Sequence, residues 1–231
     1  LKIKSLASSS AGNAHIVEHD GSRIMLDCGL TKKQLRSKNV KLSELSGCLC
    51  SHSHADHSKA VRDLLKAACD VYLLPETAKA LELPRHHRRH IIKPMEYFKV
   101  GGFGVAAFPG HHDCEVVGFQ ISAGDEKLVY ITDTCYCEYN FSGVTHWLVE
   151  CNYTVDQLAV TALDHPERVK RVIQTHLGEE NVIQLLQEND LSSTVEVRLC
   201  HLSDENADEK QMAEHIGEIL REGVKLTVAK K

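Results

Sequence analysis

The chain has 231 residues, 42% of them hydrophobic and 26% charged, which is enough for one domain to bury a sizeable core without disulfide or metal staples. Its 27 basic and 32 acidic side chains give a formal charge of −5, which argues against binding by broad neutralisation of phosphates and leaves room only for local nucleic-acid contacts. No run approaches the roughly 18 apolar residues that cross a bilayer, and the N-terminus lacks the basic, apolar and small-residue succession of a signal peptide, so membrane insertion and secretion are disfavoured. The nine cysteines are odd in number and scattered, several inside apolar patterns such as Cys48-Leu49-Cys50. That usage fits reduced thiols in the cytoplasm.

Lys2–Leu6 reads as a strand. Ala14–Glu18 and Arg23–Asp27 flank Asp20-Gly21, the pair that type I′ hairpins prefer. Gly47–Ser51 is a short strand, and Ser58–Cys69 places Ala60, Val61, Leu64, Leu65 and Ala68 on one helical face. Asp70–Leu74 is strand-like, and Pro75–Leu83 suits a short helix opened by proline. Strands follow at Phe103–Phe108, Val116–Ser122, Lys127–Thr132 and Val144–Glu150. Helical patterns then return at Pro166–Thr175 after a cap at Asp164, at Glu179–Glu188, and at Glu205–Glu222 before Gly223. Val195–His201 and Lys225–Ala229 complete the strands. Nothing resembles a linker, so residues 1–231 are expected to form a single domain, with helices packed outside two sheets.

The compositional outlier is fifteen histidines, and the densest cluster is Ser51-His52-Ser53-His54-Ala55-Asp56-His57, directly after an apolar strand. Neutral imidazole and carboxylate are good ligands for first-row divalent ions, and a loop at a strand end can aim alternate side chains at one point. Asp56 and His57 are adjacent, so they are not expected to converge on the ion held by His52 and His54, and a second ion is implied. Helix capping would explain Asp56 but none of the three histidines. Further donors stand at the ends of predicted strands: Pro109-Gly110-His111-His112-Asp113, Thr132-Asp133-Thr134 and Cys200-His201-Leu202.

With these motifs in this order, the chain resembles the metallo-β-lactamase-fold hydrolases over nearly its whole length. The resemblance implies a four-layer αββα sandwich and two divalent metal ions, zinc or manganese. His52, His54 and one of His111 or His112 would hold the first ion, Asp56, His57 and His201 the second, and Asp133 would bridge them. Within that superfamily, Ser5-Leu6-Ala7-Ser8-Ser9-Ser10-Ala11-Gly12-Asn13 and His112-Asp113-Cys114 leading to Val117-Gly118-Phe119 are similar to the small bacterial and phage branch that includes the YycJ-type DNA exonucleases. A single His-Asp pair carries the ligand in that branch, which favours His112. One departure is Asn152-Tyr153-Thr154, which stands where the branch has Asn-His-Asp.

Two bridged divalent ions can lower the pKa of a shared water and offset the charge that builds on a phosphodiester, with no serine or cysteine nucleophile. The leading expectation is therefore a phosphodiesterase or nuclease acting on DNA or another nucleotide. A carbonyl-compound hydrolase (lactonase, thioesterase or β-lactamase-like) could use the same centre, and a binding or di-iron redox protein is the third class. Asp56 is expected both to ligate and to orient the attacking water. His176 is the candidate acid or phosphate contact, because imidazole titrates near physiological pH, with a helix-end cap as the structural alternative. Ser8, Ser10 and Asn13 could line the site, although such a loop is as often a simple turn. Arg88 and Arg89, in the basic stretch Arg85–His90, are candidates for backbone phosphates, against the plainer reading of a solvated loop. Cys48/Cys50 and Cys135/Cys137 are read as strand pairs that pack.

Overall fold

The computed structural model describes residues 1–230. The first sheet has six strands in the order β1 (Lys2–Ser9), β2 (Gly12–His19), β3 (Ser22–Leu26), β4 (Gly47–Leu49), β5 (Val71–Leu73) and β6 (Arg89–Ile91). Its first three strands are antiparallel, and from β3 onward the pairing is parallel. The second sheet comprises β7 (Tyr97–Val100), β8 (Phe103–Pro109), β9 (Val117–Ala123), β10 (Glu126–Ile131), β11 (His146–Glu150), β12 (Glu196–Cys200) and β13 (Lys225–Val228). Its order is β13-β12-β11-β10-β9-β8-β7, antiparallel from β7 to β10 and parallel from β10 to β13.

Side-chain alternation along the strands divides the core into three layers. Ile24, Leu26 and Leu49 pack between the sheets against Val105, Phe119, Ile121, Leu128, Tyr130 and Leu148. Met25, Cys48, Cys50, Val71 and Leu73 face outward onto Leu35 of α1 (Lys32–Ser37), Val61, Leu64 and Leu65 of α3 (Val61–Lys66), and Ala78 of α4 (Pro75–Ala80). On the other side, Val129, Ile131, Trp147, Val149, Val197 and Leu199 meet Val182, Leu185 and Leu186 of α7 (Glu179–Gln187) and Met212 and Ile216 of α8 (Glu209–Ile219). Parallel strands covered on both faces need near-continuous apolar runs, and His146–Glu150, buried throughout, shows that pattern. The layers are helix, sheet, sheet, helix: the αββα sandwich expected from the resemblance.

The turn at Asp20-Gly21 has φ of 44° and 76°, the left-handed pair that a type I′ turn requires. Other elements differ from the sequence reading. Ser58–Cys69 is not one helix: α2 (Ala55–Ser58) and α3 are separated because the Ala60 amide donates 2.8 Å to the Cys28 carbonyl instead of continuing the helical ladder. The last helix is shorter than Glu205–Glu222, since the Asp208 carboxylate accepts from the amides of Lys210 and Gln211, each at 3.0 Å, and fixes its start. The helix at α6 (Pro166–Thr175) has His165, not Asp164, at its N-cap, without a side-chain cap bond. Cys135 and Cys137 lie in the connection after β10, not on a strand. Sequence reasoning missed α1, α5 (Val155–Ala162), β6 and β7. No described helix is long and apolar enough to cross a membrane, and all nine cysteines are free thiols.

Candidate metal centre

Strands of both sheets deliver the chemistry at one edge of the sandwich, beyond their C-terminal ends. Asp27 follows β3, the His52–His57 string follows β4, His112 follows β8, Asp133 follows β10, Glu150 ends β11, and His201 follows β12. Three of these turn the chain with left-handed backbone at non-glycine residues: Asp27 at φ 55°, Asp133 at 45° and His201 at 52°. Such conformations cost free energy and persist only where surrounding bonds over-determine them. The Ser8 hydroxyl accepts from the His201 amide at 2.8 Å, and the Asn152 side chain donates to the His201 carbonyl at 2.8 Å. Gly29 is required nearby, since a Cβ there would lie 1.6 Å from the Asp56 carbonyl oxygen.

Two groups of donors face one another across Asp133. On one side, His112 Nε2 stands 3.2 Å from His54 Nδ1, and both His52 Nε2 and His112 Nε2 stand 3.8 Å from Asp133 Oδ2. On the other, His57 Nε2 is 3.1 Å from Asp133 Oδ1 and 3.3 Å from Asp56 Oδ2. His201 Nε2 is 3.5 Å from the same Asp56 oxygen. Ligands about 2.1 Å from a tetrahedral ion are about 3.4 Å apart, so these separations match the edges of coordination polyhedra. The resemblance assigned seven ligands, and the fold brings all seven together, with His112 turned inward. His111 is exposed, its ring 3.9 Å from Glu138.

Hydrogen bonds set which ring nitrogen faces the centre. His112 Nδ1 donates to the Thr175 carbonyl at 2.9 Å, and His57 Nδ1 donates to Asp27 at 2.7 Å. His52 Nδ1 donates at 3.0 Å to the Ser51 hydroxyl, which itself donates to Asp27 at 2.9 Å. His201 Nδ1 and His176 Nδ1 both donate to Glu150 Oε1, at 2.9 and 2.6 Å. Asp27 and Glu150 are fully buried; sequence reasoning passed over Asp27, and for Glu150 it went no further than that Glu150-Cys151-Asn152-Tyr153, at the end of its strand, could reach the cleft. Each carries the signal that flagged Asp133, a carboxylate at the end of an apolar strand.

The donor set fits divalent cations. His52 Nε2 and His201 Nε2 are buried without a hydrogen-bond partner, a costly state for polar atoms unless something is coordinated there. The proton distribution points the same way. Burial disfavours a charged His201, yet the Asp133 carboxylate, the Asp56 carboxylate 3.5 Å away and the hydrogen bond with Glu150 lift its pKa to about 10. His57 is raised well above its ordinary value against the same desolvation by Asp133 and Asp27. Asp133, although buried, is held well below the carboxylate range by His201 and His57. Desolvation takes His52 down to about 3, with the positive charge of His57 adding to it. The pocket thus attracts positive charge to its middle, where protons compete with metal ions.

The remaining expected residues divide. Asn13 is in the centre, its amide donating to Asp56 Oδ2 at 3.4 Å and lying 3.0 Å from His57 Nε2. His176 lies over it, its ring centroid 5.4 Å from that of His112 and 5.3 Å from that of His201. It is also the C-cap residue of α6. Ser8 acts through the His201 backbone, and Ser10 is exposed in the β1–β2 turn. Arg88 and Arg89 are not brought to the cluster. They sit at the N-terminal end of β6, where Arg88 pairs with Asp70 at 3.3 Å and Arg89 donates to the Leu83 carbonyl at 2.6 Å.

Comparison with protein families matches residues 22–197 to the beta-lactamase superfamily domain. The exodeoxyribonuclease WalJ of Streptococcus pneumoniae is 27% identical over 225 residues, covering 89% of this chain and 83% of that protein. The exodeoxyribonuclease YycJ of Bacillus anthracis is 26% identical over 240 residues, covering 96% and 90%. Among solved structures, the metallo-beta-lactamase fold protein YhfI of Bacillus subtilis superposes with a TM-score of 0.77 at 16% identity, covering 99% of this chain and 96% of that one. The chain belongs to the beta-lactamase superfamily, and with this fold and this cluster it is a metal-dependent hydrolase.

Proposed function

We propose that the chain, acting as one domain in the cytoplasm, is a DNA exonuclease that works with two divalent ions, zinc or manganese. The observation that carries the reading is Asp133, whose Oδ2 faces His52 and His112 while its Oδ1 faces His57, the disposition a bridging carboxylate needs. Relatives named exodeoxyribonucleases that align over most of their own length supply the substrate class.

Divalent ions held there would acidify a water and offset the charge that develops on a phosphodiester. The chain's own residues do the rest. Asp56 and His57 sit on consecutive positions of α2, and Asn13 steadies the Asp56 carboxylate so that its free edge can orient the attacking water. Hydrogen bonding to Glu150 holds His176 by Nδ1 and leaves Nε2 for the leaving oxygen. Its pKa is raised, because the Glu150 charge and hydrogen bond outweigh desolvation. A ring charged near neutral pH can bind the phosphate and give its proton to the leaving alkoxide.

The test is turnover of bis-p-nitrophenyl phosphate, end-labelled DNA and a lactone panel by the metal-loaded protein. Mononucleotide release from DNA ends and hydrolysis of the diester are expected. Turnover of lactones with neither phosphodiester touched would assign the centre to carbonyl compounds instead.

A further inference from the structure

We propose that Cys114 supplies a thiolate ligand to the ion held by His52, His54 and His112, so that the two ions of the centre differ in kind. The proposal rests on the dinuclear reading above. His52, His54, His112 and Cys114 each offer one donor atom, and the four atoms lie within 4.8 Å of one another. With Asp133 also bound the ion would be five-coordinate, which brings neighbouring nitrogen and sulfur to about 3.1–3.8 Å, so the sulfur has roughly 1–2 Å at most to close. Rotation of a half-buried cysteine supplies that.

The loop that carries Cys114 is built to hold it there. The Gly110 amide donates to the Val116 carbonyl at 3.0 Å and closes the base of the loop, and the Val117 amide donates to the Ser51 carbonyl at 3.2 Å, pinning it against the histidine string. The sulfur consequently faces Ser53, the residue between His52 and His54, whose hydroxyl approaches it at 4.0 Å. His52 Nε2, fully buried and without a partner, is aimed into the same space. Asp113 borders the same space, with its Oδ1 3.2 Å from His54 Nε2 and 3.3 Å from His112 Nε2 and its Oδ2 paired with Arg171 at 3.3 Å.

On coordination the thiol proton leaves to solvent and a sulfur–metal bond forms, with no change of oxidation state. A soft sulfur donor selects zinc or cobalt over manganese, whereas Asp56, His57 and His201 form a harder set that accepts manganese. The first ion is therefore expected to be zinc whatever fills the second position.

Cobalt(II) added to the metal-free protein tests this spectroscopically. Ligand-field bands in the visible report a filled centre, and a sulfur-to-cobalt charge-transfer band in the near ultraviolet reports the thiolate. Cys114→Ser should keep the first and lose the second, with zinc affinity falling roughly tenfold or more and manganese affinity unchanged. Cys135→Ser should keep both. Ligand-field bands without the sulfur band in the unmodified protein, or a sulfur band that survives Cys114→Ser, overturn the proposal and leave the metal centre standing. Failure to bind cobalt at all overturns both. Should the variant not fold, alkylation of the unmodified protein decides: Cys114 is expected to react when metal-free and to be spared when zinc-loaded, and equal labelling refutes its ligation.

Discussion

Asp27 reaches both halves of the centre without being able to touch a metal, and Asp27→Asn isolates that role. Its two oxygens accept from the Ser51 amide at 2.7 Å, the Ser51 hydroxyl at 2.9 Å, His57 Nδ1 at 2.7 Å and the Tyr130 hydroxyl at 2.7 Å. In the isosteric amide one of these donors faces an N–H, which costs about 1–3 kcal/mol in a buried site, and the other bonds lose their charge assistance, about 1 kcal/mol each. Relief of the desolvated carboxylate offsets part of this, leaving a net loss of about 3 kcal/mol. For a domain of this length that lowers Tm by about 6–12 °C. The effect on metal is separate. His57 Nδ1 and the Ser51 hydroxyl that holds His52 share the same Asp27 oxygen, Oδ2, so an amide oxygen kept there retains both bonds without their charge; the rings are held more weakly, and affinity should fall about tenfold. Competition with a chromophoric chelator measures that fall, and thermal melts with and without zinc separate it from the loss of stability. Zinc affinity equal to that of the unmodified protein, beside a lowered Tm, would refute the claim that Asp27 orients the ligands.

Other expectations follow from the same geometry. Asp56→Ala should bind about one ion fewer by elemental analysis and lose hydrolysis; full metal content with full activity would remove Asp56 from the centre. His176→Gln should lower kcat by roughly 10²–10⁴-fold with little change in KM and flatten the pH–rate profile, and an unchanged profile would make the ring a helix cap alone. Arg88→Gln should shift stability by less than about 1 kcal/mol, as for exposed ion pairs, and leave DNA hydrolysis unaltered; a raised KM for DNA would bring that edge into substrate binding. For the metal-free protein, His201 has a folded pKa of about 10 against an ordinary 6.5. Its stabilising proton is therefore fully present below pH 6.5, and the contribution is lost as pH rises toward 10. Tm of the metal-free protein should fall across that window, and the metal-loaded protein, whose ring is already unprotonated, should show a smaller fall.

The seven residues that converge were legible as motifs because each is a metal-binding type placed just after an apolar strand, and strands that run in the same direction within a sheet end at one edge. The supporting carboxylates were harder to see. Asp27 and Glu150 sit at equivalent strand ends but stand alone in sequence, so only the rings they hold reveal them. Register decided against Arg88 and Arg89: β6 runs parallel to β5 and starts beside Val71, so their guanidiniums emerge at the end of the sheet away from the histidines. A dense basic string carries no information about which end of a strand it occupies. The break between α2 and α3 depended on a tertiary hydrogen bond from Ala60 to Cys28, which periodicity cannot anticipate. Likewise α5 has only Leu158 buried, with Val155 and Val160 exposed, so its sequence lacks the apolar stripe that marks a packed helix.

The measurement that tests the central claim most directly is a titration of the metal-free protein with manganese or zinc while mononucleotide release from end-labelled DNA is followed. The account predicts no release without metal and a rise that saturates at two ions per chain. Cleavage that proceeds undiminished in the metal-free protein, or no cleavage at any metal concentration, would contradict it.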